Sequence, residues 1–88
     1  MLDLRQLQTF YVVAITNNFS RAAKQLGCTQ SSVTTRVQSL ERELGAQLID
    51  RRRFSRKITL TEVGHRTFAY AGRLLALAAE IKGVVHSQ

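Results

Sequence analysis

Three backbone breaks cut the first half of this chain into pieces too short to stand alone. Asn17-Asn18 interrupts one apolar pattern, Gly27 follows a second, and Gly45 follows a third. Asn and Gly tolerate left-handed dihedrals, which is how helices commonly end. Between the breaks lie residues 19–26 and 30–44. Isolated helices of such length are marginal in water, so the pieces must share one core.

The apolar spacing says what each piece is. Leu4, Leu7, Phe10, Tyr11, Ala14 and Ile15 recur at helical intervals, with Asp3 placed to cap. Ser20 is placed to cap a short second helix, with Phe19 before it as a hydrophobic staple. Thr29 is the expected cap of a third helix. Its Val33, Val37, Leu40 and Leu44 form one stripe, while Ser31, Thr35, Gln38 and Arg42 fall opposite, with Thr34 at the edge. "QLIDRR" and "KITLT" then switch to the alternation of short strands, which reads as a β-hairpin with Arg52 to Arg56 at its tip. Thr61-Glu62 opens a last helix reaching about residue 86. Its Tyr70, Leu74, Leu77, Ile81 and Val84 alternate steps of four and three, a seam for a second helix. No proline opposes any of these helices.

The order is helix, short helix, tight turn, helix, hairpin, long helix, and its middle has the form of a helix-turn-helix. The third helix carries Gln30, Ser31, Ser32, Thr34 and Thr35 near its start, where a plain solubility surface would carry Glu and Lys. Small hydroxyl residues let a helix approach a major groove closely and bond to base edges or phosphates. Gln30 has the two-pronged amide that suits adenine, and Arg36 reaches either guanine or a phosphate. The helix starts at Ser20 and Thr29 offer N–H groups to phosphates, beside their simpler role as caps.

Charge agrees with that reading. The 88 residues carry a formal charge of +7, and residues 1–60 hold ten Lys/Arg against four Asp/Glu. Five of the cations crowd into Arg51-Arg52-Arg53-Phe54-Ser55-Arg56-Lys57. Such a field attracts polyanions, and hairpin arginines suit an adjacent minor groove. Arg51 has an alternative, a pair with Asp50 or Glu43. The lone Cys28 excludes an internal disulfide and reads as a packing residue. No apolar run is long enough to span a membrane. His65 and His86 lie far apart, and no Cys/His spacing suits a metal, so neither an enzyme nor a cofactor is expected.

"LRQLQTF", "NFSRAAKQL", "TQSSVTTRVQSLERELGAQLIDR" and "LTEVG" together resemble the N-terminal winged helix-turn-helix domain of LysR-type transcriptional regulators. The likeness covers residues 2 to about 65, and the remainder resembles the family's linker helix. It implies a mainly α fold of three helices and a two-stranded wing in residues 1–60, then a linker and dimerisation helix in 61–88. It implies sequence-specific binding of double-stranded DNA in the cytoplasm by a homodimer whose linker helices pair antiparallel. Carried over residue by residue, it places Gln30, Ser31, Ser32, Thr34, Thr35 and Arg36 at bases. Ser20, Arg21 and Thr29 fall at phosphates, and Arg51, Arg52, Arg53 and Arg56 belong to the wing. Family members continue into an effector domain that binds a small-molecule inducer, so this chain is expected to be the DNA-binding portion of a longer regulator.

The sequence departs from the family pattern in three places. Ser31 and Ser32 follow the glutamine where Pro is frequent. Thr35 stands where Arg is frequent, with arginine displaced to Arg36. Ile49 replaces a usual Phe. The first two bear on base preference, the third on packing. Rival readings are an architectural DNA-binding protein without sequence preference and a protein-interaction module built on the long helix.

Overall fold

A computed structural model of the chain describes residues 2–51 and 57–86. Four helices are present: α1 Leu4–Thr16, α2 Phe19–Leu26, α3 Gln30–Leu44 and α4 Glu62–His86. Asp3 caps α1 as its position suggests, its carboxylate accepting from the N–H groups of Arg5 at 2.8 Å and Gln6 at 3.3 Å. Asn17, at φ 54°, ends α1. Gly27 and Gly45 end α2 and α3 at φ 69° and 70°. At both glycine ends the N–H beyond the glycine reaches back five residues into the helix: Cys28 to Ala23 O, and Ala46 to Glu41 O.

The cap of α2 differs from expectation. Asn18, not Ser20, is the N-cap: its side-chain oxygen accepts from Arg21 N–H at 2.9 Å. Asn and Ser cap equally well, and Asn18 already has extended backbone next to the break. Phe19 is consequently the first helical residue, and Ser20 is an exposed member of the helix rather than its boundary. Asn18→Ala should therefore cost about 1 kcal/mol in denaturant unfolding, whereas Ser20→Ala should change stability by less than about 0.5 kcal/mol.

α1, α2 and α3 close around Phe10, Val13, Ala22, Val33, Val37 and Leu40, all fully buried. Burying side chains of the Val/Leu/Phe class contributes about 1.5–3 kcal/mol each. The buried face of α1 is turned from the one its spacing suggests. Leu7, Thr9, Phe10, Val12 and Val13 lie inside, while Leu4 and Ile15 are exposed. Thr9 tolerates burial because its hydroxyl donates to Arg5 O at 2.9 Å.

The expected two-stranded hairpin is a single antiparallel bridge among the described residues, Ile49 opposite Leu60. It is flanked by Asp50 N–H to Thr59 O at 2.8 Å and Thr61 N–H to Leu48 O at 2.9 Å. The first arm cannot extend backwards. The N–H groups of Leu48 and Ile49 both donate to one oxygen of Glu41, so neither is free to pair in a ladder. Ile58 and Leu60 do lie partly buried against the core, as their alternation suggests.

α4 begins where expected. Thr61 Oγ1 accepts from Gly64 N–H at 2.9 Å and donates to Gln47 O at 2.6 Å, so one residue caps α4 and fastens it to the loop before the bridge. Gly64 lies directly against the Leu48 carbonyl. Phe68 stacks on Tyr11 of α1 with ring centroids 4.8 Å apart, and Ala71 is fully buried. Beyond Gly72 the helix runs on along α1, with Leu75, Ala78 and Lys82 bordering a cleft against Leu4 and Arg5, and the molecule is elongated, 50 × 26 × 19 Å.

Candidate nucleic-acid interface

α2 and α3 meet through the turn Gly27–Cys28–Thr29, and α1 packs across both. The core stripe fixes how α3 is rotated. With Val33, Val37 and Leu40 fully buried, Gln30, Ser31, Thr35 and Gln38 are turned outward and exposed. Ser32, Thr34 and Arg36 are half-buried at the edges of that outward face. Leu44, expected on the buried stripe, is 39% exposed at the helix end.

Three hydroxyls gather at the start of α3. Thr29 Oγ1 accepts from Ser32 N–H at 3.1 Å and donates to Ser32 Oγ at 2.9 Å, with Ser31 Oγ 3.4 Å away. The cap thus orders the small polar residues beside it. The side chains of Gln30, Thr35 and Gln38 make no hydrogen bond among the described residues, so their groups remain available to a ligand. Arg36 points its Nη1 at Cys28 Sγ, 3.7 Å away, which lays the guanidinium over the turn at the flank of the face. Cys28 itself is half-buried against the core, in the packing role its position suggests.

Of the positions assigned to phosphates, Ser20 and Arg21 are exposed in the first turn of α2, and Thr29 is exposed at the start of α3. Arg52, Arg53 and Arg56 lie outside the described residues. Arg51 has a partner that sequence spacing did not name. Its two guanidinium nitrogens Nη1 and Nη2 each donate at 3.0 Å to the two carboxylate oxygens of Glu41. Neither Asp50 nor Glu43 is that partner.

Glu41 is the functional scaffold residue that sequence reading missed. It is only 9% exposed, and the same carboxylate accepts from Leu48 and Ile49 N–H at 2.8 and 3.3 Å. Burial pushes its pKa up. The Arg51 guanidinium and the two backbone N–H groups outweigh burial and hold the carboxyl below its ordinary range. A signal existed: Glu41 stands four residues after Val37, on the edge of the buried stripe, where a lone carboxylate needs donors. The pair anchors the root of the basic segment to the last turn of α3.

On α4 the expected seam is uncovered in the single chain, with Tyr70 64%, Leu77 55% and Ile81 66% exposed. Leu74 and Val84 accompany them. An apolar cleft of about 310 Å³ adjoins the seam, lined by Leu7, Leu44, Tyr70, Ala71 and Leu74 among others. No helix among the described residues is long and apolar enough to cross a membrane. Nor do the described residues contain a group of three or more His, Cys, Asp or Glu able to hold a metal.

Residues 4–65 match the family described as bacterial regulatory helix-turn-helix protein, lysR family. The chain is 41% identical over 81 residues to the uncharacterized HTH-type transcriptional regulator YwqM of Bacillus subtilis, covering 92% of this chain and 27% of that protein. It is 42% identical over 77 residues to the HTH-type transcriptional regulator BudR of Raoultella terrigena, covering 88% and 26%. The chain thus spans about a quarter of the length of these relatives. Among solved structures, it superposes on the CbnR DNA-binding domain in complex with DNA with a TM-score of 0.87 at 36% identity, over 98% of this chain and 97% of that one. The BenM DNA-binding domain in complex with catB site 1 DNA gives 0.91 at 32% identity, over 98% and 94%. With its four helices, its turn and its outward polar face in that arrangement, the chain belongs to the lysR family of bacterial helix-turn-helix regulators and carries the family's DNA-binding domain.

Proposed function

We propose that this chain binds double-stranded DNA sequence-specifically, as half of a homodimer, within a bacterial LysR-type transcriptional regulator acting in the cytoplasm. The observation that carries the reading is the outward face of α3, uncharged at its tip and flanked by cations. α3 enters the major groove, with Gln30, Ser31, Ser32, Thr34, Thr35 and Arg36 at base edges. Ser20, Arg21 and Thr29 hold phosphates, and Arg52, Arg53 and Arg56 approach the minor groove. Arg51 positions that basic segment through Glu41 instead of touching DNA. The CbnR and BenM domains named above are complexed with DNA, which supports the assignment. Residues 1–60 do the binding, and 61–88 link and dimerise. A small-molecule inducer acts through an effector domain outside these 88 residues.

The test starts from oligonucleotides selected by the wild-type chain out of a random pool. Arg36→Ala and Thr35→Ala should weaken binding to the selected sequence by about 1–3 kcal/mol and narrow its advantage over random DNA. Arg53→Ala should weaken all sequences alike and lower the salt slope by about one. If all three variants weaken every sequence equally, α3 does not read bases. A pool without enrichment would favour the architectural reading, which the small polar face of α3 argues against.

Homodimerisation rests on the uncovered seam of Tyr70, Leu74, Leu77, Ile81 and Val84. Two recognition helices would then reach half-sites about 34–36 Å apart, or a multiple of that spacing. Leu77→Glu places a charge at the middle of the seam. It should give a monomer by sedimentation equilibrium and lower affinity for the selected site at least tenfold, since one half-site is lost. A dimer that survives the substitution would discard the seam.

A further inference from the structure

We propose that Arg73 and Glu80 fix the direction and register of paired α4 helices by forming two reciprocal ion pairs across the dimer axis. The proposal rests on the homodimer reading above and adds to it what decides how the two helices align. Around α4, at roughly 100° per residue, Arg73 and Glu80 lie on the same flank of the seam, roughly 40–60° from Leu77. Ala71 and Gly72 face the opposite way, where Ala71 is buried and Gly72 meets Tyr11 of α1. Both charged residues are exposed, and neither holds an ion pair among the described residues. Arg73 only overhangs the Tyr70 ring, 5.7 Å from its centroid. They stand two turns apart, roughly 10 Å, too far to pair within one helix.

A second copy of this chain satisfies both charges in one arrangement. In an antiparallel pair the two-fold axis is perpendicular to the helices and keeps each flank on its own side. Centred on Leu77, it sets Tyr70 across from the second copy's Val84 and, within one residue, Leu74 across from its Ile81. The same centre, within one residue, sets Arg73 across from the second copy's Glu80, and the symmetry repeats the contact. A parallel pair would instead bring these two positions against Ala78 and Val85 of the other helix, leaving both charges beside apolar side chains. The remaining α4 charges do not compete. Glu62 pairs with Arg66 at 3.5 Å, and Lys82 lines a cleft against Leu4 and Arg5 of its own α1. The antiparallel solution also leaves both three-helix bodies on one side of the pair, where two α3 helices can face one duplex.

Charge reversal tests this with the DNA-free 88-residue chain in sedimentation equilibrium at low salt. Arg73→Glu and Glu80→Arg each turn two attractions into two repulsions and should raise the dimer dissociation constant about tenfold. The double variant Arg73→Glu/Glu80→Arg restores opposite charges only in the antiparallel register, and should return to within about threefold of wild type. The differences should shrink in 1 M salt, where charges are screened beyond about 3 Å. Both positions are exposed, so helicity by circular dichroism should be unchanged in all three variants. If the wild type dimerises but the single variants match it, or the double variant stays as weak as the singles, the register is wrong while the dimer stands. A wild type that remains monomeric at every concentration overturns the dimer and the register together.

Discussion

Alanine at Gly64 is expected to destabilise the domain by about 3 kcal/mol or more, a loss of roughly 12 °C or more in Tm for a chain of this size. A Cβ built there would overlap the carbonyl oxygen of Leu48. That oxygen is backbone, accepts from Thr61 N–H at 2.9 Å, and belongs to a residue that is itself fully buried. No side chain can rotate away to make room, so the first turn of α4 must lift off the bridge. Gly83 supplies the internal control. It lies in the same helix with nothing within 4 Å of its added Cβ, so Gly83→Ala should be neutral or stabilising by up to about 1 kcal/mol. Thermal unfolding of the two variants side by side should lower Tm for Gly64→Ala and leave it unchanged or raised for Gly83→Ala. Equal shifts would mean that α4 does not press on Leu48 as described.

Removing the Glu41 carboxylate should cost nearly as much, about 2–4 kcal/mol for Glu41→Ala. The substitution leaves the N–H groups of Leu48 and Ile49 without acceptors inside the protein. It also strips Arg51 of its partner, but Arg51 is 39% exposed and water can rehydrate it. The reciprocal Arg51→Ala should therefore cost less, about 1 kcal/mol, because Glu41 keeps its backbone donors. Glu41→Gln, which keeps an acceptor but not the charge, should fall between. The pH dependence has a definite sign. Because donors hold the folded carboxyl below its unfolded value, its contribution is complete above the unfolded pKa, about 4.3, and is lost as pH falls through the lower folded value. Wild type should lose stability in that acid window, and Glu41→Gln should show a flatter profile. A parallel pair of curves would remove Glu41 from the account.

Much of this architecture is legible from the residues because helix ends are local chemistry. Asp3, Thr29, Thr61 and the glycines at 27 and 45 act within a few residues of themselves, so their roles follow from position. Adjacent candidates are harder. Asn18 and Ser20 both qualify as caps, and only the backbone at the break decides between them. The phase of α1 is ambiguous for another reason: Leu7 through Ile15 is so rich in apolar residues that two faces qualify, and Thr9 is hidden by bonding its own helix. The Glu41–Arg51 tie joins residues ten apart through a turn of the chain, which no periodicity encodes. For the interface, rotation of α3 follows from three valine and leucine positions, so its outward face could be read at once. The partner of Arg51 could not.

The polar face of α3 has a consequence for how such a protein changes over generations. Gln30, Thr35 and Gln38 hang from the scaffold without bracing it, whereas Val33, Val37, Leu40 and Glu41 brace it without reaching outward. Altering the first set leaves folding intact. On the proposed reading of α3, new target preferences are one substitution away at several sites, and the lineage can explore them without passing through unfolded ancestors.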